Sequence, residues 1–108
     1  MKRIVDKTLL EAVRSLPCIV CEPGTQEQPT DPHHVTSRGA GGSDTADNVM
    51  PLCRMHHRQW DAPFQGPGFM FEKYPSIRTW LEFAGRTDVI ERLERINADS
   101  KNSSRRFW

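Results

Sequence analysis

Three cysteines and four histidines fall into a narrow arrangement along this chain. Cys18-Ile19-Val20-Cys21 comes first, then His33-His34, then Cys53-Arg54-Met55-His56-His57. The halves C-x2-C and C-x2-H each set two ligands three positions apart, so a turn or a helix start can grip one ion, and two such halves close a tetrahedron. Soft thiolates with one imidazole and no vacant position suit structural Zn2+. Cys18, Cys21, Cys53 and His56 are therefore the expected zinc ligands. His57 competes with His56 for the fourth place, because C-x2-H and C-x3-H spacings both occur in zinc sites. Plain buried thiols would require three cysteines and a spaced histidine to align by coincidence. A redox CxxC pair would need a thioredoxin-like strand and helix pattern around it, which is missing.

His33, His34 and His57 remain after the staple is assigned. Neighbouring residues on a strand point to opposite faces, so a histidine doublet can divide its work. One imidazole can sit on a metal while the other removes a proton from water. Phosphodiester cleavage needs both: a divalent cation steadies the charge that develops on phosphate and leaving oxygen, and a base activates the nucleophile. The competing reading for either residue is a polar strand histidine bonded to a backbone carbonyl.

These residues need elements to place them. Asp6 caps a short helix over residues 6–16 in which Leu9, Leu10, Val13 and Leu16 recur at helical spacing before Pro17. Cys18 to Cys21 fits a tight knuckle, and residues 22–32, rich in proline and polar side chains, read as a surface loop. Strands are expected over His33–Thr36 and Val49–Leu52, joined by the turn-rich Arg38-Gly39-Ala40-Gly41-Gly42-Ser43. A helix from Cys53 to near Trp60 follows, ending before Pro63. The order is strand, loop, strand, helix. Residues 62–72 read as a Pro/Gly/Phe loop. A helix then begins at Pro75, with Ile77, Trp80, Leu81 and Ala84 on one face and Gly85 at its exit. Trp80, Phe83 and Tyr74 are expected in the core. Thr87 caps a last helix bearing Val89, Leu93 and Ile96.

The chain has 108 residues, 36% of them hydrophobic, and a net charge of +1. That length suits one domain with a modest core, and residues 22–48 hold almost no large apolar side chain. A metal staple is physically reasonable there. The expected organisation is a single domain over residues 1–97 and a flexible polar tail over 98–108, ending Arg105-Arg106-Phe107-Trp108. No apolar run is long enough to cross a bilayer, and no secretory leader is visible, so a membrane role is not expected. Three cysteines in a CxxC context point to a reducing compartment. The near-zero net charge says nothing about partners, so any nucleic-acid role must rest on local charge.

The pattern resembles the HNH endonuclease motif over residues 17–61. Leu16-Pro17-Cys18-Ile19-Val20-Cys21, Pro32-His33-His34-Val35, Gly41-Gly42-Ser43-Asp44 and Leu52-Cys53-Arg54-Met55-His56-His57 are similar to small phage-encoded members. They are also similar to phage recombination-enhancement nucleases, which act with a recombinase filament. The resemblance implies an α+β fold: a zinc-stapled ββα-metal (HNH, His-Me finger) core with flanking helices. It implies that His34 is the general base, that His33 and His57 ligate a catalytic divalent ion, and that Asn48 fixes the loop and the base. Many members carry a further histidine one helical turn after the last motif residue, and here that place is Asp61. A carboxylate there would favour a hard cation, Mg2+ or Mn2+; a plain helix-end residue is the equal alternative. Asn48 as a simple turn residue also stays open.

Arg38 in the glycine loop, with Arg54 and Arg58 one turn apart on the finger helix, could contact phosphates, which positions a backbone without reading sequence. A solvated arginine face is the competing reading. The resemblance implies a metal-dependent DNA endonuclease leaving 5′-phosphate and 3′-hydroxyl ends, in the cytoplasm of a bacterial host. Its expected partners are DNA and a recombinase filament or phage packaging proteins. The alternative is a non-catalytic zinc-stapled nucleic-acid binding module, or a phage packaging or recombination accessory protein, since a fold does not fix a function.

Overall fold

The computed structural model describes residues 3–105, with side chains described to residue 100. Among the described residues the chain is α+β, with two antiparallel strands and five α-helices. It forms two compact units, Met1–Arg58 and Gln59–Trp108.

The first unit begins with helix α1 (Lys7–Arg14). The Asp6 carboxylate accepts from the Leu9 amide at 3.0 Å, satisfying one of the first-turn donors that the helix itself leaves open. Leu10 and Val13, on one face, bury against Val49 with Leu9 beside them. Strand β1 (Thr30–His34) pairs with β2 (Val49–Cys53), in a register that runs from Thr30 opposite Cys53 to His34 opposite Val49. Helix α2 (Arg54–Asp61) follows β2 without a break.

Each strand carries a proline at its middle, and Pro32 lies opposite Pro51. The Arg54 amide donates to the Pro29 carbonyl at 2.9 Å and Val35 to Asn48 at 2.8 Å, just beyond the two ends of the ribbon. Counting inward from these bonds, the proline pair falls at a non-hydrogen-bonded position, where a missing N–H breaks no ladder bond. Strand β1 therefore starts at Thr30, earlier than the expected His33. Proline at residue 32 disguised it as loop. The outward Pro51 carbonyl is used as well: it accepts from the Ile19 amide at 3.1 Å, which docks the cysteine knuckle against β2.

The connection between the strands holds a 3-10 turn (Arg38–Ala40) and then doubles back. At Gly42 a Cβ would fall inside the Thr36 carbonyl, and the Gly42 amide donates to the Ser37 carbonyl at 2.8 Å. Only glycine permits that approach.

The second unit contains α3 (Gly66–Lys73), α4 (Pro75–Phe83) and α5 (Thr87–Arg105) around Met70, Ile77, Leu81 and Leu93, all fully buried. Helix α3 lies where a Pro/Gly/Phe loop was expected. Pro67 sits in the first turn, where its missing N–H costs nothing. Gly68 acts as a packing residue rather than a helix breaker, since a Cβ there would meet the Asn97 side chain on α5. Asn97 in turn donates to the Gly68 carbonyl at 3.0 Å. Helix α5 runs on past Asn97 as far as Arg105, into the segment 98–108 where a polar tail was expected; residues 106–108 lie outside the described residues. Phe83, expected in the core, is 89% exposed, and Trp80 is half-buried. Among the described residues no helix is long and apolar enough to cross a membrane.

Candidate functional site

The ligand atoms of Cys18, Cys21, Cys53 and His56 lie within 4.8 Å of one another. The Cys21 and Cys53 sulfurs are 3.7 Å apart, and His56 Nδ1 stands 3.6, 3.5 and 3.1 Å from the sulfurs of Cys18, Cys21 and Cys53. A tetrahedral zinc with its usual bond lengths sets sulfurs about 3.8 Å apart and sulfur about 3.5 Å from nitrogen. The donor set and its edges fit. These four residues could hold a structural metal such as zinc, and the histidine that joins the three cysteines is His56, not His57.

Elements and charge both favour that reading. Cys53 ends β2 and His56 stands in the first turn of α2. The knuckle is tied down by Gln26, which accepts from the Cys18 amide at 2.8 Å and donates to Thr30 Oγ1 at 2.8 Å. Burial, and then its neighbours Cys53 and Cys18, push the Cys21 thiol up to about 12. For Cys18, burial works upward, but N–H groups of Cys53, Val20 and Cys21 together bring the thiol below its ordinary value. Crowded sulfurs of this kind need a cation to be thiolates together.

His57 turns the other way from its neighbour His56. Its ring meets that of His33 edge-on, with centroids 4.9 Å apart. His57 Nδ1 lies 3.2 Å from Asp31 Oδ2, and the Arg54 guanidinium is 3.5 Å from the other carboxylate oxygen. Asp31 and His33 share one face of β1, two residues apart. Burial, with the charges of His57 and His34 second and third, pushes the His33 imidazole down to about 3, so it stays neutral at ordinary pH. A neutral imidazole is what a metal ligand requires.

His34 ends β1 on the opposite face. Its Nε2 is 2.7 Å from Oδ1 of Asp44, a carboxylate whose side chain is 1% exposed. Arg3 donates to the same oxygen at 2.7 Å, and the Asp6 amide donates to Oδ2 at 2.9 Å. The Asp6 amide, the His34 ring and Arg3 hold the Asp44 carboxyl below its usual value against the opposing effect of burial. Asn48 is buried behind the same loop. Its Oδ1 accepts from the Thr36 amide at 2.8 Å, while Nδ2 donates to the carbonyls of Thr36 at 3.0 Å and Ser43 at 2.9 Å. One side chain thus closes the loop at both ends.

Arg38, Arg54 and Arg58 are exposed on the first unit. Asp61 is exposed at the last position of α2, in the second unit. Among the described residues no second set of three or more metal-ligating groups converges as the cysteine cluster does, so His33 and His57 meet as a pair. Sequence reasoning missed Asp44, Asp31, Arg3 and Gln26. Asp44 had a signal, an acid directly after a tight glycine turn. Asp31 becomes visible once β1 is extended to Thr30, because alternation then puts it on the His33 face.

A family model described as recombination enhancement, RecA-dependent nuclease matches residues 3–92. The chain belongs to this family. Its name implies a nuclease, hence a hydrolase acting on nucleic acid, with a role in RecA-dependent recombination. No curated protein and no solved structure matches the chain.

Proposed function

We propose that this recombination-enhancement nuclease is a metal-dependent DNA endonuclease of the HNH class, with residues 17–61 as its ββα-metal finger within a nuclease of residues 1–97. The observation that carries the proposal is how the strand–strand–helix frame sorts its histidines. His56 serves the zinc-type cluster, His33 and His57 meet ring to ring, and His34 rests on a buried carboxylate.

In this reading Zn2+ is structural, and a Mg2+ or Mn2+ ion held by His33 and His57, with Asp61 as a further candidate, would neutralise charge at the phosphate and the leaving oxygen. His34 takes a proton from water as the water oxygen bonds to phosphorus. The bond from phosphorus to the 3′ oxygen breaks, and that oxygen gains a proton from solvent, leaving 5′-phosphate and 3′-hydroxyl ends. Asn48 keeps the loop around the base in place. Arg38, Arg54 and Arg58 contact phosphates, which predicts weak sequence preference. The partner that fits the family is a recombinase filament on DNA in a phage-infected bacterial cytoplasm.

The test is cleavage of single-stranded, duplex and branched DNA with Mg2+, Mn2+ or chelator, with and without a recombinase filament. Metal-dependent cleavage of at least one form supports the proposal. Binding without cleavage under every condition would establish a zinc-stapled binding module instead.

A further inference from the structure

The segment before α1 does something no motif announces. Arg3 Nε donates to the Gly42 carbonyl at 2.8 Å, the Ile4 amide donates to Ser43 Oγ at 2.8 Å, and the Asp44 amide donates to the Ile4 carbonyl at 2.8 Å. The Asp6 amide and the Arg3 guanidinium then take the two oxygens of Asp44. Residues 3–6 are laid across the glycine loop like a strap. Their bonds converge on one buried carboxylate, and its remaining strong contact is His34 Nε2 at 2.7 Å.

The proton positions follow from this set. A carboxylate that receives a guanidinium, a backbone amide and an imidazole nitrogen acts as acceptor to all three, so the proton between Asp44 and His34 belongs to Nε2. The lone pair of His34 is then on Nδ1. A general base needs its tautomer and its ring orientation fixed, and needs its charge balanced once it has taken a proton.

We infer that Asp44 is the positioning residue of the base His34, and that the strap of Arg3, Ile4 and Asp6 belongs to the catalytic apparatus because it holds Asp44. The inference rests on the reading of His34 as general base. Asp44 touches no substrate; it fixes which nitrogen of His34 accepts the proton, and it faces the imidazolium that results.

The first measurement needs no variant. In wild-type protein labelled at histidine nitrogens, His34 should show a proton on Nε2 that exchanges slowly enough to be seen, with Nδ1 unprotonated; a His34 protonated on Nδ1 would overturn the inference. In Asp44→Ala that proton signal should vanish and kcat should fall about 10- to 100-fold, the usual cost of losing an orienting partner. KM for DNA and zinc content should hold. Asp44→Asn keeps an acceptor oxygen and should recover part of kcat. Arg3→Ala, a change at a half-buried strap residue, should lower kcat several-fold without altering KM. Unchanged kcat in Arg3→Ala would remove the strap from the apparatus, and wild-type kcat in a folded Asp44→Ala would end the inference. His34→Ala separates the two levels. If it retains activity, the base reading itself has failed; if it is inactive while Asp44→Ala is not, only the positioning role has.

Discussion

Replacing Cys53 by serine attacks the candidate zinc site at its tightest corner. The Cys53 sulfur is 3.1 Å from His56 Nδ1 and 3.7 Å from the Cys21 sulfur, and the residue is 1% exposed. A hydroxyl there is a poor, protonated ligand, so the ion keeps two thiolates and one imidazole. The first unit has little to fall back on. Its buried aliphatic side chains are Leu10, Val13, Val35, Val49, Met50 and Leu52. At roughly 1.5–3 kcal/mol each they contribute on the order of 10–20 kcal/mol before chain entropy is counted. A structural zinc contributes about 10–16 kcal/mol in small zinc domains. Loss of the ion therefore removes a favourable part as large as the apolar core, while whole domains are stable by only about 5–15 kcal/mol. Cys53→Ser should lack stoichiometric zinc by elemental analysis. Its backbone amide spectrum should collapse, most of all over β1, β2 and the 18–21 knuckle, and urea unfolding of that region should no longer be cooperative. Cys18→Ser should behave alike. A zinc-free Cys53→Ser protein with wild-type urea midpoint and slope would refute the reasoning.

His34→Ala should keep zinc, fold and DNA binding and lose about two to four orders of magnitude in cleavage rate, the scale of a lost general base; near-wild-type cleavage would place the catalytic centre elsewhere. Asn48→Ala removes bonds to both ends of the loop and should lower stability by about 1–3 kcal/mol, read by urea unfolding, with a smaller rate loss than His34→Ala. The His33 imidazole is pushed from 6.5 to about 3. Between those values the unfolded chain takes up a proton that the folded one refuses, so stability falls as pH drops through that window, by up to about 1.4 kcal/mol per pH unit. His33→Phe should remove that slope from the zinc-loaded protein measured without added Mg2+ or Mn2+, and superimposable acid-unfolding curves for the two would contradict it. Asp61→Ala should raise the Mg2+ concentration needed for half-maximal cleavage if Asp61 ligates the ion; unchanged metal dependence would assign it to the helix end.

Ligand chemistry was the most legible part of the sequence. The spacing of Cys18, Cys21, Cys53 and His56 is a local property that survives folding, and the choice of His56 over His57 needed only the direction of one helix. Elements were legible where their signal was positive, as in the Asp6 cap and the proline start of α4. They were hidden where glycine or proline was read as punctuation. Pro32 masks the start of β1, although Pro51 did not hide β2, because the cost of proline depends on which side of the ladder its nitrogen faces, a fact of register that one strand alone does not contain. Gly68 masks a helix because its purpose is the Asn97 side chain across the packing. Asp44 and Asp31 were missed for the same reason, since each owes its role to a partner that pairing or a long-range strap brings to it.

Helix α2 sends its two histidines to different surroundings by the simplest geometry available. Successive residues on an α-helix point about 100° apart. His56 therefore faces the sulfurs and is 7% exposed, while His57 faces Asp31 and His33. An ion on His56 and Cys53 would pin the first turn of α2 to the end of β2, and β2 is paired residue for residue with the strand that carries Asp31, His33 and His34. With the ion bound, the cysteine cluster would help to fix the rotation of α2 about its own axis, and with it the direction of His57. On the other face of β1 the N-terminal strap does the corresponding work for His34 through Asp44. On the proposed function, zinc removal should abolish activity through the fold, whereas removal of the proposed Mg2+ or Mn2+ should abolish it with the fold intact.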